Sequence, residues 1–229
     1  MTITPTTLTR LAAVAAVSAG IIFIGVQIGH PHADVTSVTT TEWAVRNSLK
    51  VLMAALALGG ITGMYLRQVK ETGVLGLVGY LLFSVGYLAM LCVETIALVV
   101  VPTIVGSSPE YVEGVVAVAT NSSSSADLGL FRPLNLVIAA GYLLGGLIFG
   151  IALFRAGVLA RWAAALLAVA AVLTMTIPLL PMVNQRLFAV VNGVAMVGLG
   201  WSLWREQRSA ANLPVTSSSG SRLDPAGAR

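Results

Sequence analysis

A single carboxylate, Glu94, stands in the long apolar stretch formed by residues 73–105. Placing a charged side chain at the centre of a membrane costs at least ~2.5–3.5 kcal/mol, so such residues are usually paired or functional. Tyr80, Ser84 and Tyr87 precede Glu94 at helical spacing, which predicts that all four lie on one helix face. Such a face is typical either of a hydrated or ligand-lined cavity or of hydrogen bonds between neighbouring helices.

The depth of Glu94 in a membrane follows from the helical rise of ~1.5 Å per residue. If the helix leaves the cytoplasmic interface at Gly73, Glu94 lies ~31 Å further on, at the outer edge of a hydrocarbon core ~30 Å thick. Arg46 and Arg132 are expected to begin neighbouring spans on that same side. A bidentate ion pair with one of these arginines is the leading interpretation of Glu94, and a substrate-binding or proton-carrying carboxylate is the alternative.

Two further groups of polar residues could bind a metal ion or form hydrogen bonds. His30, His32 and Asp34 offer imidazole and carboxylate ligands of the types that bind zinc or copper, although Pro31 favours an extended backbone that separates the two rings. A solvated loop is the alternative interpretation. Asn192 lies inside the last apolar stretch, where an amide is expected to hydrogen-bond a neighbouring helix rather than a ligand.

Common signatures of enzymes are missing from the sequence, namely a glycine-rich phosphate loop, a His-Glu-x-x-His helix and a Gly-x-Ser-x-Gly turn. Cys92 is the only cysteine, which excludes an intramolecular disulfide and a thiolate metal cluster within one chain. We therefore expect no cofactor, and a non-enzymatic role is favoured.

The composition indicates that the chain is a membrane protein. The chain is 57% hydrophobic and 10% charged, with a mean hydropathy of +0.90, whereas soluble domains carry about 25% charged residues. The net charge of +4 comes from basic residues at the ends of apolar stretches, so a nucleic-acid partner is not expected. The expected partner is the lipid bilayer.

The apolar stretches predict an all-α bundle of six transmembrane helices in residues 1–208. The spans are predicted at about residues 11–29, 49–66, 74–101, 134–154, 158–177 and 187–204. The first stretch stays apolar beyond the candidate cleavage site at residues 16–19, so we interpret it as an uncleaved span rather than a signal peptide. A short interfacial helix is predicted at residues 111–119, and a disordered cytoplasmic tail at residues 209–229.

Nine of the thirteen lysines and arginines fall on one side of these predicted spans. Because cytoplasmic loops carry the excess of basic residues, both termini are predicted to be cytoplasmic. The predicted location is a bacterial cytoplasmic membrane, with a multi-pass topology.

Glycine patterns predict close helix packing. A shift of 86 residues aligns Leu58-Gly59-Gly60 with Leu144-Gly145-Gly146, which indicates either a parallel internal repeat or a chance match between low-complexity helices. Glycines four residues apart, such as Gly141 and Gly145, let helix backbones approach within one chain or between the copies of a homo-oligomer.

The segment Phe154-Arg155-Ala156-Gly157-Val158-Leu159-Ala160-Arg161-Trp162 resembles a basic turn between spans four and five of a broad group of uncharacterised bacterial multi-pass membrane proteins. In that group the turn has the form Arg-Ser-Gly-Leu-Val-Pro-Arg-Trp, and this chain has Ala160 where the group usually has proline. The resemblance covers roughly spans one to five and implies the multi-pass architecture, but the group has no assigned activity. The composition, rich in alanine and valine, looks actinobacterial.

Three functions follow as hypotheses. The leading one is non-enzymatic binding of a small apolar ligand, a lipid or a protein partner within the bundle, through the polar face of the third span. The first alternative is a small secondary transporter that uses Glu94 as its coupling carboxylate. The second alternative is a metal-dependent membrane enzyme that uses His30 and His32.

Overall fold

The computed structural model describes residues 4–28, 34–120, 122–173 and 182–211, and in these ranges the chain forms helices and turns without a strand. The helices are α1 (Pro5–Gly25), α2 (Thr41–Arg67), α3 (Val69–Val99), α4 (Val101–Ile104), α5 (Pro109–Ala119), α6 (Phe131–Ala140), α7 (Gly146–Ala156), α8 (Arg161–Leu173) and α9 (Met182–Ala211). A π-helical turn, Gly141–Gly145, joins α6 to α7 in one continuous rod. The all-α prediction is confirmed.

Four of these segments are long and apolar enough to cross a membrane, namely α1, α2, α3 and the rod Phe131–Ala156. They indicate a membrane-embedded protein. The described part of the fifth predicted span is the shorter apolar helix α8, and residues 174–181 lie outside the described ranges. Helix α9 continues to Ala211, into the predicted tail, and residues 212–229 also lie outside the described ranges.

The second helix begins at Thr41 rather than at residue 49. Its start is fixed by Thr40, whose Oγ1 accepts a hydrogen bond from the Trp43 amide at 3.2 Å, and by Glu42 in the first turn, where the helix dipole favours a negative charge. These polar residues extend the helix beyond its apolar part, and hydropathy alone does not detect them. In the same way the first helix is shifted to Pro5–Gly25 from the predicted 11–29.

The spanning segments pack in a ring that follows the order of the chain. Each contacts the next, from α1 through α2, α3, the α6–α7 rod and α8 to α9, and α9 returns to α1. Small residues line these contacts, since a Cβ added to Gly60 would lie 2.7 Å from Ala16 Cβ, and one added to Gly200 would lie 2.9 Å from the same atom. The glycines of α2 that contact α1 are therefore used within the chain.

Tight connections lie at one end of the ring, which we call the turn end. Gly73 has φ +56°, a left-handed conformation that favours glycine, and it divides the first turn of α3 from the long helix that follows. Gly157 ends α7 with φ +67°. The next bend is tied to α9, because the Ala160 amide donates to Ser202 Oγ at 2.8 Å. A proline at position 160 could not donate this bond.

The opposite end carries the longer connections, residues 34–40 and 105–130, and we call it the loop end. The helix predicted at residues 111–119 is present there as α5. It packs on the turn Ser37–Thr39 and on the start of α6 through a small apolar cluster that includes Val38, Val112, Val115, Leu128 and Phe131. This cluster covers the loop end of the bundle and is separate from the main core between the spans.

Candidate functional site

The polar face predicted for the third span meets two different neighbours. Toward α2, the Tyr80 ring stacks on Tyr65 with ring centroids 4.5 Å apart, and its hydroxyl oxygen lies 3.3 Å from Thr62 Oγ1. Toward α9, Asn192 Nδ2 donates to Tyr87 Oη at 3.4 Å. The face is thus used for contacts between helices along part of its length.

Tyr87 belongs to a cluster of four aromatic rings in the core. Its ring centroid is 5.0 Å from that of Phe83 and 6.0 Å from that of Tyr142, and Phe83 is in turn 6.3 Å from Phe149. All four side chains are buried, and Tyr87 is only 1% exposed. The spacing of polar residues predicted the position of Tyr87 on this face but not its contact with Phe83, which lies one helical turn before it on the same helix.

The cluster forms because α3 and the α6–α7 rod approach at their backbones. A Cβ added to Gly86 would lie 2.8 Å from the carbonyl carbon of Gly141, and one added to Gly145 would overlap the backbone nitrogen of Phe83. The π-helical turn at this crossing includes Tyr142 and contributes its side chain to the cluster. Such turns are frequent at functional sites.

Two buried polar atoms next to this cluster lack a hydrogen-bond partner. They are Asn192 Oδ1, on a residue that is 1% exposed, and Ser84 Oγ, three residues before Tyr87 on α3. In an apolar interior an unpaired polar group costs ~1–3 kcal/mol by protein mutational data. Both atoms therefore have a free capacity to hydrogen-bond a bound molecule.

Glu94 pairs with Lys50, and the predicted pair with Arg46 or Arg132 is wrong. Lys50 Nζ lies 3.4 Å from Glu94 Oε2, and the glutamate side chain is 18% exposed. Lys50 is seven residues after Trp43, whose indole Nε1 donates to the Ala97 carbonyl of α3 at 2.8 Å. Residues seven apart share a helix face, so the Trp43 contact and the Lys50 pair lie on the same side of α2.

Both arginines bind at the loop end instead. Arg46 lies one turn before Lys50 on α2, where its Nη2 is 2.9 Å from Glu42 Oε1 and its Nη1 donates to the Val26 carbonyl at 3.2 Å. Arg132 Nη2 donates to the carbonyls of Ser124 and Ala126 at 2.5 and 3.3 Å. These arginines hold the ends of spans and the long connection rather than a carboxylate inside the bundle.

No protein-family model, curated protein or solved structure matches this chain.

The predicted metal ligands do not form a site in the described part of the chain. His30 and His32 lie outside the described ranges. Asp34 accepts hydrogen bonds from Thr36 Oγ1 at 2.8 Å and from the Ser37 amide at 2.7 Å, and these bonds lower the pKa of its carboxyl. Among the residues described, no group of three His, Cys, Asp or Glu side chains could hold a metal ion.

A polar cleft of about 770 Å³ opens at the loop end beside α5. Its lining combines serine hydroxyls with four carboxylates, those of Asp34, Glu110, Glu113 and Asp127. This acidic cleft is separate from the apolar, hydrogen-bonding cluster around Tyr87 and Asn192. Asn192 Oδ1 and Ser84 Oγ belong to that cluster, whereas the other two buried atoms without a hydrogen-bond partner among the described residues, Arg10 Nε and Gln68 Oε1, do not.

Proposed function

We propose that the protein is a six-span integral membrane protein of a bacterial cytoplasmic membrane, with both termini in the cytoplasm, that binds a small apolar ligand within its bundle. The four long apolar helices support the membrane location, and α8 and α9 supply the fifth and sixth spans of the proposal. A homo-oligomer would need a surface other than the glycines that this chain already uses between its own helices.

The observation that carries the binding function is the pair of unpartnered atoms, Asn192 Oδ1 and Ser84 Oγ, beside the four aromatic rings. Most buried polar groups in folded proteins have a hydrogen-bond partner. A bound molecule that offers hydrogen bonds to these atoms and apolar surface to the rings removes the cost of leaving them unpaired.

Extraction of bound molecules tests this function. The protein is purified in mild detergent from its native membrane, and compounds extracted into organic solvent are identified by mass spectrometry. We expect at least one compound near one molecule per protein, and its loss in Ser84→Leu, which replaces the hydroxyl with a larger apolar side chain. The matched control is Thr95→Leu, at an exposed position of the same helix, which keeps the compound.

Absence of any such compound from the wild-type protein would reject the binding function. The same conclusion follows if Ser84→Leu and Thr95→Leu retain equal amounts, because the compound would then lie elsewhere on the protein.

A secondary transporter with Glu94 as coupling carboxylate is the second candidate. It is favoured by the Lys50–Glu94 pair, which puts two opposite charges between α2 and α3 in otherwise apolar surroundings. Uptake of the extracted compound into proteoliposomes should then be abolished by Glu94→Gln and unaffected by Glu42→Gln, at an exposed position of α2. Unchanged uptake with Glu94→Gln removes this carboxylate from the mechanism.

A further inference from the structure

We infer that the ligand is a neutral molecule with one hydrogen-bonding oxygen on a compact apolar body, and that Asn192 selects for that oxygen. The inference rests on the proposed function and adds the chemical class of the ligand and the residue that recognises it.

The amide of Asn192 has one free hydrogen-bonding atom in either of its two orientations. In the first orientation, Nδ2 donates to Tyr87 Oη and Oδ1 has no partner. If the amide is turned over, Oδ1 accepts from the Tyr87 hydroxyl and Nδ2 is left without a partner, and the two orientations are distinguished only by their hydrogen bonds. A ligand oxygen that both donates and accepts, such as that of an alcohol or phenol, satisfies the amide in both cases.

The neighbouring hydroxyls complement the same ligand. When Tyr87 Oη accepts from Asn192, the phenol proton remains for a second acceptor. Ser84 Oγ, which lacks a partner, offers a further donor and acceptor one turn away on α3. The rings of Phe83 and Tyr142, which pack edge to face with centroids 5.8 Å apart, provide the apolar surroundings that a compact hydrophobic body would need.

The charges on the described residues exclude an ionic ligand at this position. None of these residues places a charged side chain in hydrogen-bond contact with Asn192, Tyr87 or Ser84. Glu94 is the charged residue of α3 beyond Gly73. It lies seven residues after Tyr87, ~10 Å along the axis, and pairs with Lys50. An anion or cation at Asn192 would therefore leave water without a counter-charge, which is costly in an apolar interior.

Three probes with the same ring test the selection: phenol, benzene and benzoate. Their binding to the purified full-length protein is measured by NMR titration in detergent, with partition into empty micelles subtracted. One net hydrogen bond predicts that phenol binds about fivefold more tightly than benzene, and benzoate should not bind. In Asn192→Leu the preference for phenol over benzene should fall to about onefold.

Two further variants control this result. Asn135→Leu makes the same substitution on α6, where Nδ2 of the native side chain bonds the Phe131 carbonyl within its own helix, and it should keep the wild-type preference. Tyr87→Phe removes only a hydroxyl, and it should reduce the preference for phenol even if Asn192→Leu does not fold.

Equal affinity of the wild type for phenol and benzene would overturn the inference, since the amide would then be satisfied by an ordered water only. Tight binding of benzoate, or a full phenol preference in both Asn192→Leu and Tyr87→Phe, would also overturn it. A compound found by extraction together with no preference for phenol leaves the binding function standing and rejects this ligand class.

Discussion

Helix α3 packs against its two large neighbours in different ways. Against the α6–α7 rod it uses glycines, so that Gly79 and Gly86 bring backbone against backbone. Against α2 it uses side chains, through the Trp43 indole, the Thr62–Tyr80 contact and the Lys50–Glu94 pair. The first interface, which we call the glycine seam, has no room for an added Cβ. The second, which we call the polar seam, consists of side-chain contacts that can be changed one at a time.

The two interfaces determine different features of the bundle, namely the distance between helices and their register. The glycine seam fixes the distance between α3 and the rod, and it thereby holds Phe83, Tyr87 and Tyr142 together. The polar seam fixes the register of α2 on α3, through directional bonds of modest individual energy. We therefore expect mutations in the glycine seam to act on the whole bundle, and mutations in the polar seam to act locally.

The largest effect is predicted for Gly145→Ala. Its Cβ would overlap the backbone nitrogen of Phe83, which cannot move without separating the two helices. We expect the free energy of unfolding, measured by SDS titration, to fall by ~3 kcal/mol or more, at the upper end of overpacking costs. Gly86→Ala, with its nearest backbone atom at 2.8 Å, should fall between Gly145→Ala and the wild type.

Gly25→Ala is the matched control, because nothing lies within 4 Å of a Cβ added at the end of α1. It should leave the stability unchanged or raise it slightly. Equal stabilities for Gly145→Ala and Gly25→Ala would refute the tight crossing.

A smaller effect is predicted for Trp43→Phe in the polar seam. This change keeps an aromatic ring but removes the indole N–H that donates to the Ala97 carbonyl at 2.8 Å. The loss in the free energy of unfolding should be about 1 kcal/mol, the net value of one hydrogen bond. Trp201→Phe, at an exposed position of α9, provides the comparison and should lose less. A larger loss for Trp201→Phe would contradict the role of the indole bond.

The sequence predicts the two seams unequally. The glycine spacing predicts close packing, but only the three-dimensional arrangement shows that Gly145 meets Phe83. The position of Glu94 near one end of the third span follows from the helical rise, whereas its partner depends on how far α2 is shifted along α3. Arg46 and Lys50 are one turn apart on α2, and only the longer-range contact of Trp43 with Ala97 selects Lys50.

The hydrogen bond between Tyr87 and Asn192 likewise joins residues 105 positions apart, which no local pattern determines.

The Lys50–Glu94 pair should contribute less than the ion pair at the turn end. There Arg67 and Glu206 join α2 to α9 through two parallel hydrogen bonds, with Nε to Oε2 at 2.5 Å, whereas Lys50 and Glu94 make one contact at 3.4 Å. Double-mutant cycles with Lys50→Met and Glu94→Gln should give a coupling energy below ~1 kcal/mol. The cycle with Arg67→Met and Glu206→Gln should give a larger one, because the pair is bidentate. The reverse order would show that the single contact determines the register of α2.

The smallest effect is predicted for Tyr80→Phe. The ring keeps its stacking on Tyr65, and only the 3.3 Å contact between its hydroxyl and Thr62 Oγ1 is lost. Because Thr62 Oγ1 also donates to the Leu58 carbonyl at 2.7 Å, the threonine stays bonded, and the expected loss is ~0.6 kcal/mol, the average for such bonds in membrane helices. The variant should also leave ligand binding unchanged, in contrast to Tyr87→Phe, since Tyr80 faces α2 rather than Asn192. A change in the phenol preference with Tyr80→Phe would mean that the polar face of α3 acts as one continuous surface, and that the two seams are not independent.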